Sequence, residues 1–355
     1  MNQRGLRDGA PLPEPRGRVS GWLVRRLLGR PTLADRPVTH GDPLVGDDLH
    51  LALHCIYELS HRPLRGVDPA FERDPLVLAL RRSLEDELWD AVQDDALLDE
   101  GDRWAEVARR SGPGAAVDGL LEAFDGPSLS SFMEQRGTRE QFLEFLIHRS
   151  AYQLKEADPH TLGLARLTPG ARKSAYAEIQ YDEYGNGEPG ASHAELFAAA
   201  MAEAGLDAGY GTAIDALPGT TLATGNLLGL LSGRRELLAP LVGHLALFEM
   251  TSVTPMGRYA RAARRLGFGP SVQRFYDVHV EADAHHGDLA RRVLLGDGGS
   301  DDDLDPVGMV LGAHALVRAE DRFARSLLDR WAEGGSSLRI DDDASDALGV
   351  PGHNG

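Results

Sequence analysis

Apolar residues recur at helical spacing along most of the chain and divide it into a series of predicted helices. In the first of these, Leu49, Leu53, Ile56 and Tyr57 share one face. Further helices are predicted near residues 75–98, 138–159, 171–184, 192–204, 219–233, 238–250, 256–267, 270–294 and 305–334. Sustained alternation of apolar and polar residues, which indicates strands, is scarce. The pattern therefore predicts an all-α protein.

The two ends of the chain lack this periodicity. Residues 1–47 are rich in Pro, Gly and Arg, and are predicted to form an extended N-terminal arm. Within it, residues 19–28 have the pattern of a short basic amphipathic helix, and the arm is expected to pack on its own domain or on a partner subunit. Residues 336–355 are predicted to form a flexible acidic tail. Residues 48–335 form the predicted helical domain.

Composition narrows the possible locations and partners. Of the 355 residues, 42% are hydrophobic, which is enough for a substantial core. The single cysteine, Cys55, excludes an intrachain disulfide and agrees with a cytoplasmic location. The net charge of −18 argues against non-specific binding to nucleic acid or to an anionic membrane. No apolar run reaches the roughly 18 residues of a membrane span, and the bias toward Arg, Ala, Gly and Leu is typical of a high-GC bacterial genome.

The most informative local motif lies in residues 275–288. His279, Asp283 and His286 are spaced i, i+4 and i+7, so on a helix they project within roughly 60° of one another. Two imidazoles and a carboxylate on one stripe suit iron or manganese, and zinc less distinctively. The same spacing also occurs on solvated helix faces, so the motif alone leaves both interpretations open.

Two carboxylates stand among apolar residues of predicted helices. Glu249 ends a run that is apolar on almost every side, where an unpaired carboxylate would be strongly destabilising. Glu156 lies on a face that also carries Phe145. Either acid could bind a metal. Alternatively, Glu249 could face solvent or pair with an arginine, and Glu156 could pair with Lys155 or Arg166.

A third candidate pair brackets a loop. Glu183 closes one predicted helix and His193 opens the next, so the loop could bring both into one cavity. The loop also matches Gly-x-Gly-x-x-Gly at Gly185, Gly187 and Gly190. A dinucleotide site is rejected because no strand precedes the loop and its acidic residues would repel phosphate.

Together these motifs resemble the haem-oxygenase-like diiron oxidases, also called iron-containing redox enzymes. The resemblance rests on Lys155-Glu-Ala-Asp-Pro-His160, on Ile179-Gln-Tyr-Asp-Glu-Tyr-Gly-Asn-Gly187 with His193 following, on Glu249, and on His279-x-x-x-Asp283-x-x-His286. It covers about residues 140–295. It implies a haem-oxygenase-like helical bundle with an N-terminal helical extension. It also implies seven metal ligands, namely Glu156, Glu183, His193, Glu249, His279, Asp283 and His286.

By the same resemblance, the ligands divide between two irons, with Glu183 bridging. The first iron takes Glu156, His193 and His286, and the second takes Glu249, His279 and Asp283. Glu183 and Asp283 are the predicted catalytic residues. Two Fe(II) ions carry four positive charges, which the four carboxylates balance; a Mn/Fe pair is the alternative. Residues near the ligands that could orient them, or act as ordinary caps, are Asp158, Asp182, Tyr152, Tyr184 and Glu195.

The implied activity is that of an O₂-activating oxidase or oxygenase. Its substrate would be a small amino-acid-like, amine or fatty-acid molecule, and the reaction N-oxygenation, desaturation or C–C cleavage, as is common in natural-product biosynthesis. Electrons would come from an external reductant or electron-donor partner, because no flavin or nicotinamide motif is visible. Candidate pocket residues are Tyr57, Tyr152, Phe248 and Phe275. A homodimer is a possible assembly.

Two alternative functions differ from this one. A haem-binding or metal-free protein of the same fold would have a non-oxidative or interaction role, with His61 or His148 as the axial haem ligand, but it would leave the buried acids unexplained. A ferritin-like diiron protein needs two Glu-x-x-His motifs, whereas the sequence contains Glu58-Leu-Ser-His61 alone.

Overall fold

The computed structural model describes residues 9–32, 37–296 and 304–339, without the side chains of Asp283 and Ala284. Within these ranges no β-strand is present, and the β-type pairing is one isolated bridge between Ala10 and Leu64. The prediction of an all-α protein is therefore confirmed.

The helices follow one another in a single bundle. In chain order they are α1 (Arg18–Leu27), α2 (Asp47–His61), α3 (Pro75–Leu98), α4 (Gly101–Ser111), α5 (Pro113–Ala123), α6 (Leu129–Gln135), α7 (Arg139–Gln153), α8 (Asp158–Leu164), α9 (Ala171–Glu183), α10 (His193–Glu203), α11 (Gly219–Gly233), α12 (Leu238–Arg265), α13 (Pro270–Leu289) and α14 (Pro306–Ala332). Short 3₁₀ turns cover Pro69–Arg73, Gly185–Gly187, Ile214–Ala216 and Arg235–Leu237, and a π-helical turn, Ala290–Leu294, extends α13.

Local capping explains where several helices begin. Asp74 accepts hydrogen bonds from the first backbone N–H groups of α3, and proline occupies the position after it. Thr138 and Gln141 form a reciprocal capping box at the start of α7. Asp305 caps α14 in the same way as Asp74 caps α3. These signals are visible in the sequence, which is why the predicted starts of these helices lie close to the observed ones.

The two helices predicted at residues 238–250 and 256–267 are one continuous helix, α12. Pro255 lies inside it and removes one backbone donor, which favours a break. The Thr251 carbonyl therefore lacks its usual helical donor, while the Thr251 hydroxyl donates to the Leu247 carbonyl one turn earlier, at 2.8 Å. Because α13 and α14 pack along α12, tertiary packing holds the helix together past the proline.

Glycines let α14 approach the backbone of α12. A Cβ placed on Gly243 would lie 1.8 Å from the Met309 carbonyl oxygen, and one on Gly312 would lie 1.8 Å from that of Pro240. On the other side, a Cβ on Gly287 of α13 would lie 3.3 Å from the carbonyl oxygen of Glu249. Helix α12 is therefore held tightly between its two neighbours.

Residues Arg235–Arg265 are, among the described residues, the one helical segment long and apolar enough to cross a membrane by length and composition. The sequence alone predicts no such segment. Its apolar window has a mean hydropathy of 1.4 and is 61% buried inside the protein. The central core helix of a soluble bundle meets the same criterion.

The described parts of both chain ends lie against the helical domain. Asp48 of α2 accepts hydrogen bonds from the backbone N–H groups of Val19 and Ser20, at 2.9 and 2.7 Å, so α1 docks on α2. At the other end, Ser337 donates to the buried carboxylate of Glu144 from its backbone N–H and its hydroxyl. The remainder of the predicted acidic tail, residues 340–355, lies outside the described residues.

Candidate metal centre

Six of the seven predicted ligands meet in two buried triads. In each triad, one donor atom per residue lies within 4.8 Å of the other two. The first triad is Glu156, His193 and His279, and the second is Glu183, Glu249 and His286. None of the six residues is more than 8% exposed. The side chain of the seventh, Asp283, lies outside the described residues.

In the first triad, His279 has one ring nitrogen fixed by the backbone. Its Nδ1 lies 2.6 Å from the Phe275 carbonyl oxygen, which can only accept, so Nδ1 carries the hydrogen. In the neutral ring, Nε2 then has a lone pair, and this atom lies 3.7 Å from Glu156 Oε2. The Gln153 amide, with its nitrogen turned toward Glu156, donates to both carboxylate oxygens at 2.7 and 2.6 Å. These contacts orient two of the three donors of the triad.

In the second triad, His286 is oriented by a carboxylate. Its Nε2 lies 2.7 Å from Asp182 Oδ2, which accepts the hydrogen bond. Its Nδ1 therefore carries the lone pair of the neutral ring and lies 3.4 Å from Glu249 Oε2. A carboxylate that holds the outer nitrogen of a histidine is a recurrent feature of metal ligation, because it fixes the tautomer and raises ligand basicity. Asp182 is one of the predicted orienting residues.

Glu183 and His193 connect the two triads. Glu183 Oε2 lies 2.7 Å from His193 Nδ1, yet the two atoms are not aligned for a hydrogen bond, and neither has a hydrogen-bond partner among the described residues. The rings of His193 and His279 lie side by side, with centroids 4.1 Å apart. Buried polar atoms normally find partners in a folded interior. Donor atoms that crowd together without hydrogen bonds fit a shared cation.

Burial and neighbouring charges shift the pKa values of these acids. Burial raises the pKa of Glu156, and the nearby charge of Glu183 raises it further against the opposing effect of His279. Burial also acts to raise the pKa of Glu183, but the neighbouring His193, His279 and His286 together outweigh it and leave that pKa below its usual value. Several carboxylates gathered in a dry interior need compensating positive charge. The donor set, acids with imidazoles, is one that iron accepts.

A sharp turn positions Glu156 between α7 and α8. The next residue, Ala157, has φ 72 and ψ −34, a conformation that non-glycine residues rarely adopt. Lys155 on the other side is buried and donates to Glu58 of α2, which also accepts from the Tyr210 hydroxyl at 2.6 Å. The ion pair therefore holds the turn that presents Glu156.

Both ion-pair alternatives proposed for Glu156 differ from the observed contacts. Lys155 pairs with Glu58, and Arg166 donates to the carbonyl oxygens of Ser232 and Gly233. The sequence could not indicate the Lys155–Glu58 pair because its members are far apart in the chain.

The loop between Glu183 and His193 reverses the chain. Asn186 has φ 56, and Ser192 caps the first turn of α10. Glu195, a predicted orienting residue, accepts from the Ser192 hydroxyl at 2.6 Å and from the Gly190 backbone at 3.1 Å. It is a capping residue of the loop.

Asp158 and Tyr184, two further predicted orienting residues, contact each other. The Tyr184 hydroxyl donates to Asp158 Oδ1 at 3.0 Å, and this bond joins the segment that carries Glu156 to the one that carries Glu183. Their contribution to the site is therefore to hold two ligand-bearing segments together.

The predicted division of ligands between two irons is corrected in one respect. His279 lies with Glu156 and His193, and His286 lies with Glu249, so the two histidines exchange places relative to the prediction. They are two turns, roughly 10 Å, apart along α13. Which of them meets which triad depends on the direction in which α13 crosses its neighbours, and residue spacing does not determine that direction.

A cavity of about 300 Å³ lies beside the triads. Gln153, which contacts Glu156, and Ser252, which bonds to the Glu249 carbonyl, belong to its wall. Of the predicted pocket residues, Tyr152, Phe248 and Phe275 line it. Tyr57 does not; it is buried beside Arg81 of α3, whose guanidinium lies 5.2 Å from its ring.

The residues proposed for the alternative sites have other partners. Both ring nitrogens of His148 form hydrogen bonds, to Thr221 at 2.7 Å and to Ser337 at 3.0 Å, and His148 does not line the cavity. Neither does His61. Glu58 of the Glu-x-x-His motif is bound to Lys155 and Tyr210. The structure therefore gives no support to an axial haem ligand at His148 or to a ferritin-like site at Glu58.

Comparison with known proteins is consistent with this arrangement. Residues 143–321, about half of the chain and all six residues of the triads, match the family described as iron-containing redox enzymes. Among solved structures, a domain of unknown function with a haem-oxygenase-like fold from Shewanella denitrificans OS217 aligns with 16% identity and a TM-score of 0.45. The alignment covers 63% of this chain and 93% of that chain. No curated protein matches the chain.

Proposed function

Because the chain belongs to the iron-containing redox enzyme family, we propose that it is a non-haem diiron oxidase or oxygenase that uses O₂ to oxidise a small organic substrate. The observation that carries this proposal is the pair of adjacent triads, each with two different ligand types and each fully inside the helical bundle. A single triad would suit one cation, whereas two triads joined through Glu183 and His193 suit two.

The proposed ligands are Glu156, His193 and His279 for one ion and Glu249 and His286 for the other, with Glu183 between them and Asp283 as a further ligand. When bound, two Fe(II) ions would supply electrons and open coordination positions for O₂. Mn/Fe is the alternative pair. An external donor would return electrons after each cycle.

The chain's own residues would prepare the site for this chemistry. Asp182 keeps the proton of His286 on Nε2, and the Phe275 carbonyl keeps that of His279 on Nδ1. Each imidazole then directs its lone pair into the site. The Gln153 amide holds the Glu156 carboxylate, and the wall of the adjoining cavity is largely apolar.

The cavity limits the substrate to a small molecule. Its volume of about 300 Å³ is at the lower end of the range of ligand pockets. Oxidative tailoring of such a molecule in a cytoplasmic biosynthetic pathway, by N-oxygenation, desaturation or C–C cleavage, agrees with this size.

Iron counting after anaerobic loading tests the proposal. We expect about two Fe(II) per chain, a Mössbauer spectrum of non-haem iron, and O₂ consumption that depends on a reductant. Replacing either His279 or His286 with Gln should lower the iron content and abolish O₂ consumption. Iron content at the wild-type level in both variants would refute the ligand assignment.

His314 offers a matched control for these substitutions. It is also a buried histidine whose Nε2 bonds to an aspartate, Asp99, at 2.9 Å, but it belongs to neither triad. His314→Gln should therefore retain iron and O₂ consumption even if it loses stability. A Soret band in the purified protein would instead favour haem binding.

A further inference from the structure

An ion pair lies in the wall of the otherwise largely apolar cavity. Arg149 of α7 donates to both carboxylate oxygens of Glu320 of α14, at 2.9 and 2.6 Å, and both residues line the cavity. Their side chains are 20% and 34% accessible. The site and its chemistry as described above make no use of this pair.

The surroundings of the pair argue against a role in stabilising the fold alone. Arg149 lies over the rings of Phe323 and Phe145, 4.4 and 5.5 Å from their centroids. In such surroundings an ion pair is often no more stabilising than apolar residues of the same size. An accessible pair that is kept in an apolar wall is therefore a candidate for ligand recognition.

The pair retains hydrogen-bonding capacity. A guanidinium has five N–H donors; the bidentate contact uses two and the contact with the Tyr259 hydroxyl one more, and each carboxylate oxygen has a further lone pair. Tyr276 also lines the cavity, and its buried hydroxyl has no hydrogen-bond partner among the described residues. A ligand could therefore donate to Glu320 while it accepts from Arg149.

Charge decides which kind of ligand fits. The pair carries no net charge, so an anionic head group would approach Glu320 and a cationic one Arg149, each with an unbalanced charge in a medium of low dielectric. A head group that carries both charges meets complementary partners and adds no net charge. We propose that Arg149 and Glu320 form a subsite for the α-carboxylate and α-ammonium groups of a zwitterionic amino-acid substrate.

The position of the subsite orients the substrate. Arg149 and Gln153 are one helical turn apart on α7, roughly 6 Å along its axis, and Gln153 contacts Glu156. The polar head would thus lie away from the triads, and the apolar side chain would extend along the aromatic wall toward them. The role of the bound molecule as substrate depends on the proposed function, but its preference for a zwitterionic head does not.

Three probes with one eight-carbon chain test the subsite: α-aminooctanoic acid, octanoic acid and octylamine. Their affinities are measured by calorimetry on the full chain, before and after anaerobic Fe(II) loading. We expect α-aminooctanoic acid to bind at least about ten-fold more tightly than either singly charged probe. Equal affinities, tighter binding of octanoic acid or octylamine, or no binding of any probe would overturn the proposal.

A double substitution, Arg149→Gln with Glu320→Gln, removes both charges without leaving either one unpaired. It should abolish the preference for the zwitterion while the iron content stays unchanged. The matched control is Arg291→Gln with Asp118→Asn, which removes another bidentate ion pair that does not line the cavity; it should keep the preference. An unchanged preference in the first variant would also overturn the proposal.

The two proposals can fail separately. If the chain binds the zwitterion selectively but does not load two irons, the subsite stands and the diiron assignment fails. If it loads two irons but prefers octanoic acid, the diiron assignment stands and the subsite fails.

Discussion

Asp182 and His286 form a hydrogen-bonded pair in which the carboxylate oxygen lies 2.7 Å from Nε2 of a fully buried ring. They lie on different helices, α9 and α13; His286 is a proposed ligand, whereas Asp182 is not one but precedes the ligand Glu183 in the chain. A change at Asp182 should therefore affect metal binding without removing a ligand.

Asp182→Ala should weaken Fe(II) binding by about 10- to 100-fold, the usual effect of losing a carboxylate that orients a metal-binding histidine. An anaerobic Fe(II) titration measures this. The control is Glu178→Ala, because Glu178 makes a similar contact with His285, at 2.8 Å, on the exposed side of the same two helices. Equal Fe(II) affinity in both variants would contradict the assigned role of Asp182.

Lys155→Met should destabilise the protein by about 3–5 kcal/mol, because it leaves the charge of Glu58 buried without its partner. Urea unfolding measures the loss, and Lys155→Met with Glu58→Gln should recover part of it. The exposed pair of Arg110 and Glu106 provides a control, since Arg110→Met should change stability little. If the single and double variants are equally stable, the ion pair does not hold the turn at Glu156.

The pair of Lys155 and Glu58 should also make the stability of the protein depend on pH in the acid range. Burial acts to raise the pKa of Glu58, but Lys155, His54 and the Tyr210 hydrogen bond together outweigh it and leave the pKa at about 2, below the usual 4.5. Because the pKa is lower in the folded state, the contribution is present above pH 4.5 and is lost as the pH falls toward 2. Glu58→Gln should remove this dependence in urea unfolding measured across that range, and an unaltered profile would contradict the charge state assigned to Glu58.

Buried histidines should also make the fold less stable in acid. Their effect should begin at a higher pH than that of Glu58. Burial lowers the pKa of His50, His54 and His244 to about 4 and that of His148 to about 3. The unfolded chain takes up protons near pH 6.5 while these rings stay neutral in the fold, so stability falls as the pH drops below 6.5. Each histidine adds a slope of up to about 1.4 kcal/mol per pH unit. His148→Gln should give a shallower slope between pH 6.5 and 5, and a slope equal to that of the wild type would contradict its buried neutral state.

Gly243→Ala should destabilise the protein, because the new Cβ would collide with the Met309 carbonyl oxygen of α14. Overpacking of this kind costs roughly 1–3 kcal/mol or more. Gly257→Ala on the same helix is the control, since its Cβ would approach the flexible Arg261 side chain at 3.3 Å. There the gain in helix propensity, up to about 1 kcal/mol, should leave stability equal or higher. Thermal unfolding of the two variants compares them, and equal losses would contradict the close approach of α12 and α14.

The sequence predicts helices best where both periodicity and end signals are present. It predicts α3 at residues 75–98 and α11 at residues 219–233, the same bounds as in the structure. It does not predict helices α4, α5, α6 and α8. They have 7 to 11 residues each, too few turns for a clear apolar period, and they are held by packing on longer helices.

Candidate ligands could be selected because an acid in an apolar helix is unusual at the level of sequence. Their grouping into triads could not be predicted, because it depends on how α13 crosses α12. The ion pair of Arg149 and Glu320 was not predicted either. Its members are 171 residues apart, and no local pattern reveals that they meet across the cavity.

Each triad draws its members from parts of the chain that are far apart, and each is completed by a histidine of α13. During synthesis, all other ligands of the two triads would therefore leave the ribosome before the α13 histidines. Neither triad could be complete until then. Iron could be captured only after α13 has emerged and docked against α12, so maturation of the centre would follow folding and could not guide its early stages.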